Sequence, residues 1–202
     1  MLLIAAVASF MAPTQIAGSI RDSDYPRKGL RQDAGGTVSL ALQISPDGSV
    51  ERCDVRLSSS PKVLDEASCK LATARFRYSP ARNAAGNPVH SVIVQDINWR
   101  LGSGEKFYKY AELVLTLKAL PAPFEPGETR QIALLTSKDG AMIACLANWE
   151  ADSPVLARVA CREARAGFRP EAVRDKAGVA VEAVRIIGVR FETVASQAKK
   201  KR

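Results

Sequence analysis

The sequence predicts an α+β fold made of two tandem copies of one small unit, and three observations carry that prediction. The first is an internal repeat. Cys53 and Cys69 recur as Cys145 and Cys161, and both 145 − 53 and 161 − 69 equal 92. The same offset, without a gap, lays Asp47-Gly48 on Asp139-Gly140, Val63-Leu64 on Val155-Leu156, Phe76-Arg77 on Phe168-Arg169 and Arg82 on Arg174. From Gly35/Gly127 to Leu101/Thr193, 20 of 67 pairs are identical, and chance matches would not keep turns and cysteines in register. The second observation is a hairpin pattern of alternating apolar residues in each copy. The third is a helical stripe following each hairpin. Each unit is therefore expected to be a small antiparallel sheet, in the order strand, strand, helix, strand, with one or two helices.

Length and composition agree with two units. A chain of 202 residues, 47% hydrophobic, divides into two domains of roughly 85–95 residues, near the lower end of domain size. Domains so small bury a modest share of their surface and gain from covalent staples. The division expected is a signal-like leader at 1–20, a first unit at 21–104, a linker at 105–127, a second unit at 128–195 and a basic tail at 196–202.

The leader runs apolar from Leu2 to Ala12 and then meets Pro13. Eleven such residues are too few to span a bilayer, which needs about 20. The length suits the hydrophobic region of a secretory signal, with a cleavage candidate after Ala17. A buried N-terminal strand or a membrane anchor is the alternative.

Asp22 to Pro26 opens a short helix through Arg31, because Ser or Asp before Pro marks a first helical turn. From Thr37, the residues Val38, Leu40, Leu42 and Ile44 alternate with Ser39, Ala41 and Gln43, which predicts a half-buried strand. Ser45 to Gly48 is a hairpin turn, and the return strand places Cys53, Val55 and Leu57 on one face. Val50 is out of phase with them, so a bulge is expected near Glu51-Arg52. A helix from Ser60 to Arg75 buries Leu64, Ala67, Leu71 and Ala72. Tyr78 to Pro88 reads as a loop, and the third strand, Val89 to Leu101, turns Ile93, Ile97, Trp99 and Leu101 inward. In the linker, Leu113, Leu115 and Leu117 alternate and suggest an extra strand that could cover a sheet edge. Pro121, Pro123 and Pro126 then force an extended loop. The second unit has a hairpin from Arg130 to Trp149, a helix from Pro154 to Ala166 and a last strand from Val181 to Val194, with no counterpart of the first helix.

The chemistry-bearing residues are few. Structural disulfides, Cys53 with Cys69 and Cys145 with Cys161, fit the cysteine pairs better than reduced core thiols or redox chemistry, since no C-x-x-C occurs to lower a thiol pKa. His90 is the only histidine, and no G-x-S-x-G element accompanies it. No metal-ligand spacing and no Walker-type lysine after Gly102-Ser103-Gly104 is present, so no catalytic residue, metal or cofactor is expected. The net charge of +8 favours anionic partners. The tail from Lys199 to Arg202 has no interleaved aromatics, which argues against nucleic acid.

Residues 24–101 resemble the C-terminal domain of the TonB family of periplasmic energy transducers. The resemblance is carried by Tyr25-Pro26, Gly36-Thr37-Val38, Pro46-Asp47-Gly48, Ser58-Ser59-Ser60 and Leu64-Asp65-Glu66-Ala67. It continues through the run from Phe76 to Ala81, the run from Gly86 to Val89, and Trp99-Arg100-Leu101. The second unit keeps Asp139-Gly140, Val155-Leu156, Phe168-Arg169 and Gly178, but has Ala157 for Asp65, Ala172 for Pro80 and Phe191 for Trp99, as a diverged copy would.

The resemblance implies a non-enzymatic domain in the periplasm that captures a short peptide of an outer-membrane transport receptor by strand addition. The third strand would receive it, through Ser91, Val92, Ile93, Val94, Gln95, Asp96 and Ile97, with Val92 and Val94 facing the ligand. A transducer also uses a membrane-spanning helix and a long Pro-rich linker, which this sequence does not display. A soluble or loosely anchored binding protein is therefore expected, its partner a receptor peptide or another periplasmic protein. The alternative is a structural protein holding peptidoglycan through its basic surface.

Overall fold

The computed structural model describes residues 10–58, 62–101, 107–147, 149 and 152–196. In chain order the elements are β1 (Thr14–Ala17), a 3-10 turn (Asp22–Asp24), α1 (Arg27–Arg31), β2 (Gly36–Ile44), β3 (Val50–Leu57), α2 (Lys62–Arg75), β4 (Arg77–Ser79), β5 (Ala81–Arg82) and β6 (Pro88–Trp99). There follow β7 (Leu113–Leu117), β8 (Thr129–Thr136), β9 (Met142–Leu146), α3 (Pro154–Gly167), β10 (Val173–Arg174), β11 (Ala180–Val181) and β12 (Ala183–Thr193). The order strand, strand, helix, strand thus occurs twice, as β2-β3-α2-β6 and β8-β9-α3-β12.

Local chemistry explains each half. Gly48 ends the first hairpin turn at φ +84°, and a Cβ there would lie 2.0 Å from the Tyr78 carbonyl oxygen, so both backbone shape and space require glycine. The bulge falls where the phase break placed it: Gln43 pairs with Arg52 but Ile44 with Val50, leaving Glu51 extra. Val38, Leu40, Leu42 and Ile44 then form a core with Leu64, Ala72, Phe76, Ile93, Ile97 and Trp99. Tyr25 packs edge-on to Trp99 with ring centroids 5.0 Å apart. The second half lacks that first helix, and Phe124 of the linker takes its place against Phe191 and Trp149. Ser153 caps α3 by accepting the Leu156 N–H, with Pro154 at the first helical position.

The two halves share one eight-stranded sheet in the order β3-β2-β6-β12-β8-β9, with β5 on β6 and β7 on β12. Each half is antiparallel internally, and they join through a parallel pairing of β6 with β12, Ala183 opposite His90 through Ile186 opposite Ile93. Those pairs differ by 93, one more than the sequence repeat. A slip of one residue exchanges the faces of a strand. Ile186 accordingly packs with the first core, under α2, while Ile187, Val189 and Phe191 point the other way into a core with Leu156, Ala160 and Ala164 of α3. The helices α2 and α3 therefore lie on opposite faces of the joint sheet. A third cluster, Phe10, Ala81, Val89, Leu135 and Val184, fills the seam on the α2 face.

Three expectations need correction. Residues 14–17, assigned to the leader, form β1, an exposed strand held by main-chain pairing with Ser79, Tyr78 and Arg77, while Phe10 of the apolar run is buried in the seam. Residues 1–9 lie outside the described residues. The stretch from Tyr78 to Pro88 is not a plain loop, since Arg77–Ser79 pairs with β1 and Ala81–Arg82 with β6. Leu101 is exposed rather than inward, because β6 ends at Trp99.

Candidate functional site

The third strand of the first half, β6, is an interior strand for part of its length. On one side it pairs with β2 from Ile44↔Ser91 to Gly36↔Trp99. On the other, Ser91, Val92 and Ile93 pair with Val184, Arg185 and Ile186. Beyond Ile93 the strands part, because β12 takes β7 as its parallel neighbour from Val189↔Leu113 to Thr193↔Leu117. Among the described residues no strand pairs with the outer edge of residues 94–97. The expected receiving edge is thus revised: Ser91, Val92 and Ile93 already have a strand beside them, whereas Val94, Gln95, Asp96 and Ile97 do not.

A cleft of about 380 Å³ lies along this open stretch, lined by Val94, Gln95 and Asp96 on one side and by Tyr110, Trp149 and Gly188 among others. Ile93 and Ile97 point into the first core, and Val92 and Val94 face the opposite side, as the alternation requires. Asp96 accepts the Ser39 hydroxyl at 2.5 Å, and Asn98 accepts the Thr37 hydroxyl at 2.8 Å. Ser91 is fully buried, and among the described residues its hydroxyl has no hydrogen-bond partner.

The linker crosses the face that α2 leaves uncovered. The Tyr108 N–H donates to Thr37 Oγ1 at 3.0 Å, and Glu112 accepts the Gly188 N–H at 2.7 Å. Burial pushes the Glu112 carboxyl above the usual carboxylate range, with the Gly188 N–H opposing. Gly188 permits this crossing by size, since a Cβ there would come within 2.5 Å of the Tyr110 carbonyl oxygen. Sequence reading placed a strand at Leu113–Leu117 but gave no role to Glu112. Its one signal was an acidic residue directly before an alternating apolar run.

The cysteines close two equivalent staples. Cys53–Cys69 and Cys145–Cys161 have Cα separations of 5.6 and 5.8 Å, each tying a hairpin's second strand to the next helix. His90 sits at the junction of the halves, opposite Ala183, with its Nε2 3.3 Å from Glu51. Among the described residues no group of His, Cys, Asp or Glu gathers to hold a metal ion, and no helix is long and apolar enough to cross a membrane.

Comparison with known proteins gives a match to the family model "Gram-negative bacterial TonB protein C-terminal" over residues 21–101. No curated protein and no solved structure matches the chain. The matched stretch holds α1, the β2-β3 hairpin, the stapled α2 and β6, which are the elements whose residues carry the resemblance. Residues 21–101 of this chain are thus similar to the TonB C-terminal domain family, which the match supports for that stretch.

Proposed function

We propose that the chain is a non-catalytic binding protein of the bacterial envelope that takes up an extended segment of an outer-membrane protein by strand addition at residues 94–97. The observation that carries the reading is the unpaired outer edge of residues 94–97, on the strand to which the resemblance assigns this role. An added strand gains affinity from main-chain hydrogen bonds and specificity from alternate side-chain pockets. Four residues offer about two to four such bonds at roughly 0.5–1.5 kcal/mol each, so the neighbouring cleft must supply much of the affinity. Val94 and Tyr110, both half-buried, are among its apolar contributors. The periplasm is where such a partner would meet it, and α2 and α3 stapled by disulfides suit that oxidising compartment.

A second edge supports an alternative address. The outer strand β3 carries Glu51, Arg52, Asp54 and Arg56, which guard it against pairing, whereas β9, at the other end of the sheet, carries no charge, with Ile143 and Leu146 exposed. The test is peptide binding by full-length variants, followed by fluorescence anisotropy with a synthetic TonB-box peptide. Val94→Pro should weaken capture at least tenfold and Val94→Thr less than about threefold, because proline alone removes a main-chain donor and restricts φ. Circular dichroism must show the Val94→Pro protein folded. Normal binding by that folded variant, together with loss of binding in Ile143→Asp, would move the receiving edge to β9.

A further inference from the structure

Where the two halves meet, the face opposite α2 holds a polar cavity of about 320 Å³ that neither core explains. Its floor is one row of residues across four strands: Arg52 on β3, Gln43 on β2, Val92 on β6 and Arg185 on β12, each paired with the next. The loop after α3, from Phe168 to Ala172, forms one wall, and Arg56 stands at the rim.

Among the described residues, two atoms lining this cavity lack partners. Gln43 is only 4% exposed; its amide nitrogen donates to Glu51 and to the Arg174 carbonyl, but its Oε1 accepts nothing. Arg185 donates through one terminal nitrogen to the Glu171 carbonyl, while its buried Nε has no acceptor. Arg56 makes no hydrogen bond or ion pair among the described residues. Of the acidic residues lining the cavity, Asp54 is engaged by Arg52 at 3.1 Å and Glu112 by the Gly188 N–H, while Glu171 adds a negative charge near Arg185. Burial and the charges of Arg56 and Arg52 push Arg185 below the usual arginine range, a strain that an anion between them would relieve.

Packing does not call for these groups. At the repeat offset of 92, Arg185 occupies the place of Ile93, a core residue of the first half. Leaving a buried donor and a buried acceptor dry forfeits the hydrogen bonds both groups make to water in the unfolded chain. Gln43 and Arg185 flank Val92 at two strand spacings, about 10 Å between backbones. The cavity is several times larger than the roughly 30 Å³ share of one water.

We propose that this cavity binds the C-terminal residue of a peptide, with its carboxylate on Arg185 Nε and the Arg56 guanidinium and its amide N–H on Gln43 Oε1. That group presents an anion and a hydrogen-bond donor side by side, which matches the open valences of the pocket. The site is independent of the open edge of β6, so either can fail without the other.

The test is isothermal titration of the full-length, disulfide-intact protein with N-acetyl-L-Ala-L-Ala and with N-acetyl-D-Ala-D-Ala, the two arms separating a protein C-terminus from a cell-wall stem peptide. Saturable binding of either one supports the site. The C-terminal amide of the bound dipeptide should bind at least tenfold more weakly, and its analogue N-methylated at the last amide about fivefold more weakly. Arg56→Gln, at an exposed position that leaves the fold intact, should weaken the acid at least fivefold and leave the amide unchanged. Equal binding of acid and amide, competition by acetate alone at the same concentration, or no heat from either dipeptide at 10 mM would overturn the proposal.

Discussion

Asp24 and Arg75 tie the N-terminal turn to the end of α2 through two contacts, at 2.5 and 2.7 Å, and the Arg21 N–H adds a third bond to the carboxylate. The Arg75 hydrogen bonds, then the Arg21 N–H, lower the Asp24 pKa from 3.8 to about 2. A carboxylate with a depressed folded pKa stabilises the fold above its unfolded pKa and loses that contribution as pH falls through the folded one. The pair therefore contributes fully above about pH 4 and fades between there and pH 2. Thermal unfolding from pH 2 to 6 should show Asp24→Asn less stable than the parent at pH 6, with the difference shrinking toward pH 2. A difference that grows toward pH 2 would contradict the pair. At this scale the sequence was informative where a residue acts locally. Gly48 and the phase break at Glu51 were legible from a turn and a parity change. Arg75 meeting Asp24 was not, because 51 residues of chain separate them.

Among the elements, hairpins and helices were readable because alternation and helical stripes are local signals. The short strands β4 and β5 were not, since their two or three residues become strand only by pairing with β1 and β6. The linker shows the same limit. Its strand β7 announced itself by alternation, but its parallel partner β12 could not be read from it. Glu112, the residue before β7, gives a direct test of how that linker is seated. A buried carboxyl with a raised pKa favours the fold while protonated, so its contribution is whole below about pH 4.5 and is lost as pH rises through the higher folded value. Glu112→Gln keeps an oxygen for the Gly188 N–H but cannot ionise. Denaturant titrations should find Glu112→Gln at least as stable as the parent at pH 7, with the gap closing toward pH 4. A variant that is less stable at pH 7 than at pH 4, relative to the parent, would place Glu112 in an ionised role instead.

Across the whole molecule, the repeat in the sequence made the two-part order legible but could not give the relation between the parts. That relation rests on one residue of register: pairing at 93 rather than 92 turns α3 to the far face and brings Arg185, rather than Val184, beside Val92. The same pairing closes residues 91–93 and leaves 94–97 open, so only part of the stretch read from the sequence keeps a free edge. Hydrogen exchange read by mass spectrometry, with and without a saturating TonB-box peptide, tests this edge without any substitution. Strand addition at the open stretch predicts slower exchange of amides within residues 94–97, with residues 91–93 and 184–186 unchanged because their ladder is already formed. Peptide binding that leaves 94–97 unprotected, or that protects 142–146 instead, would contradict the account.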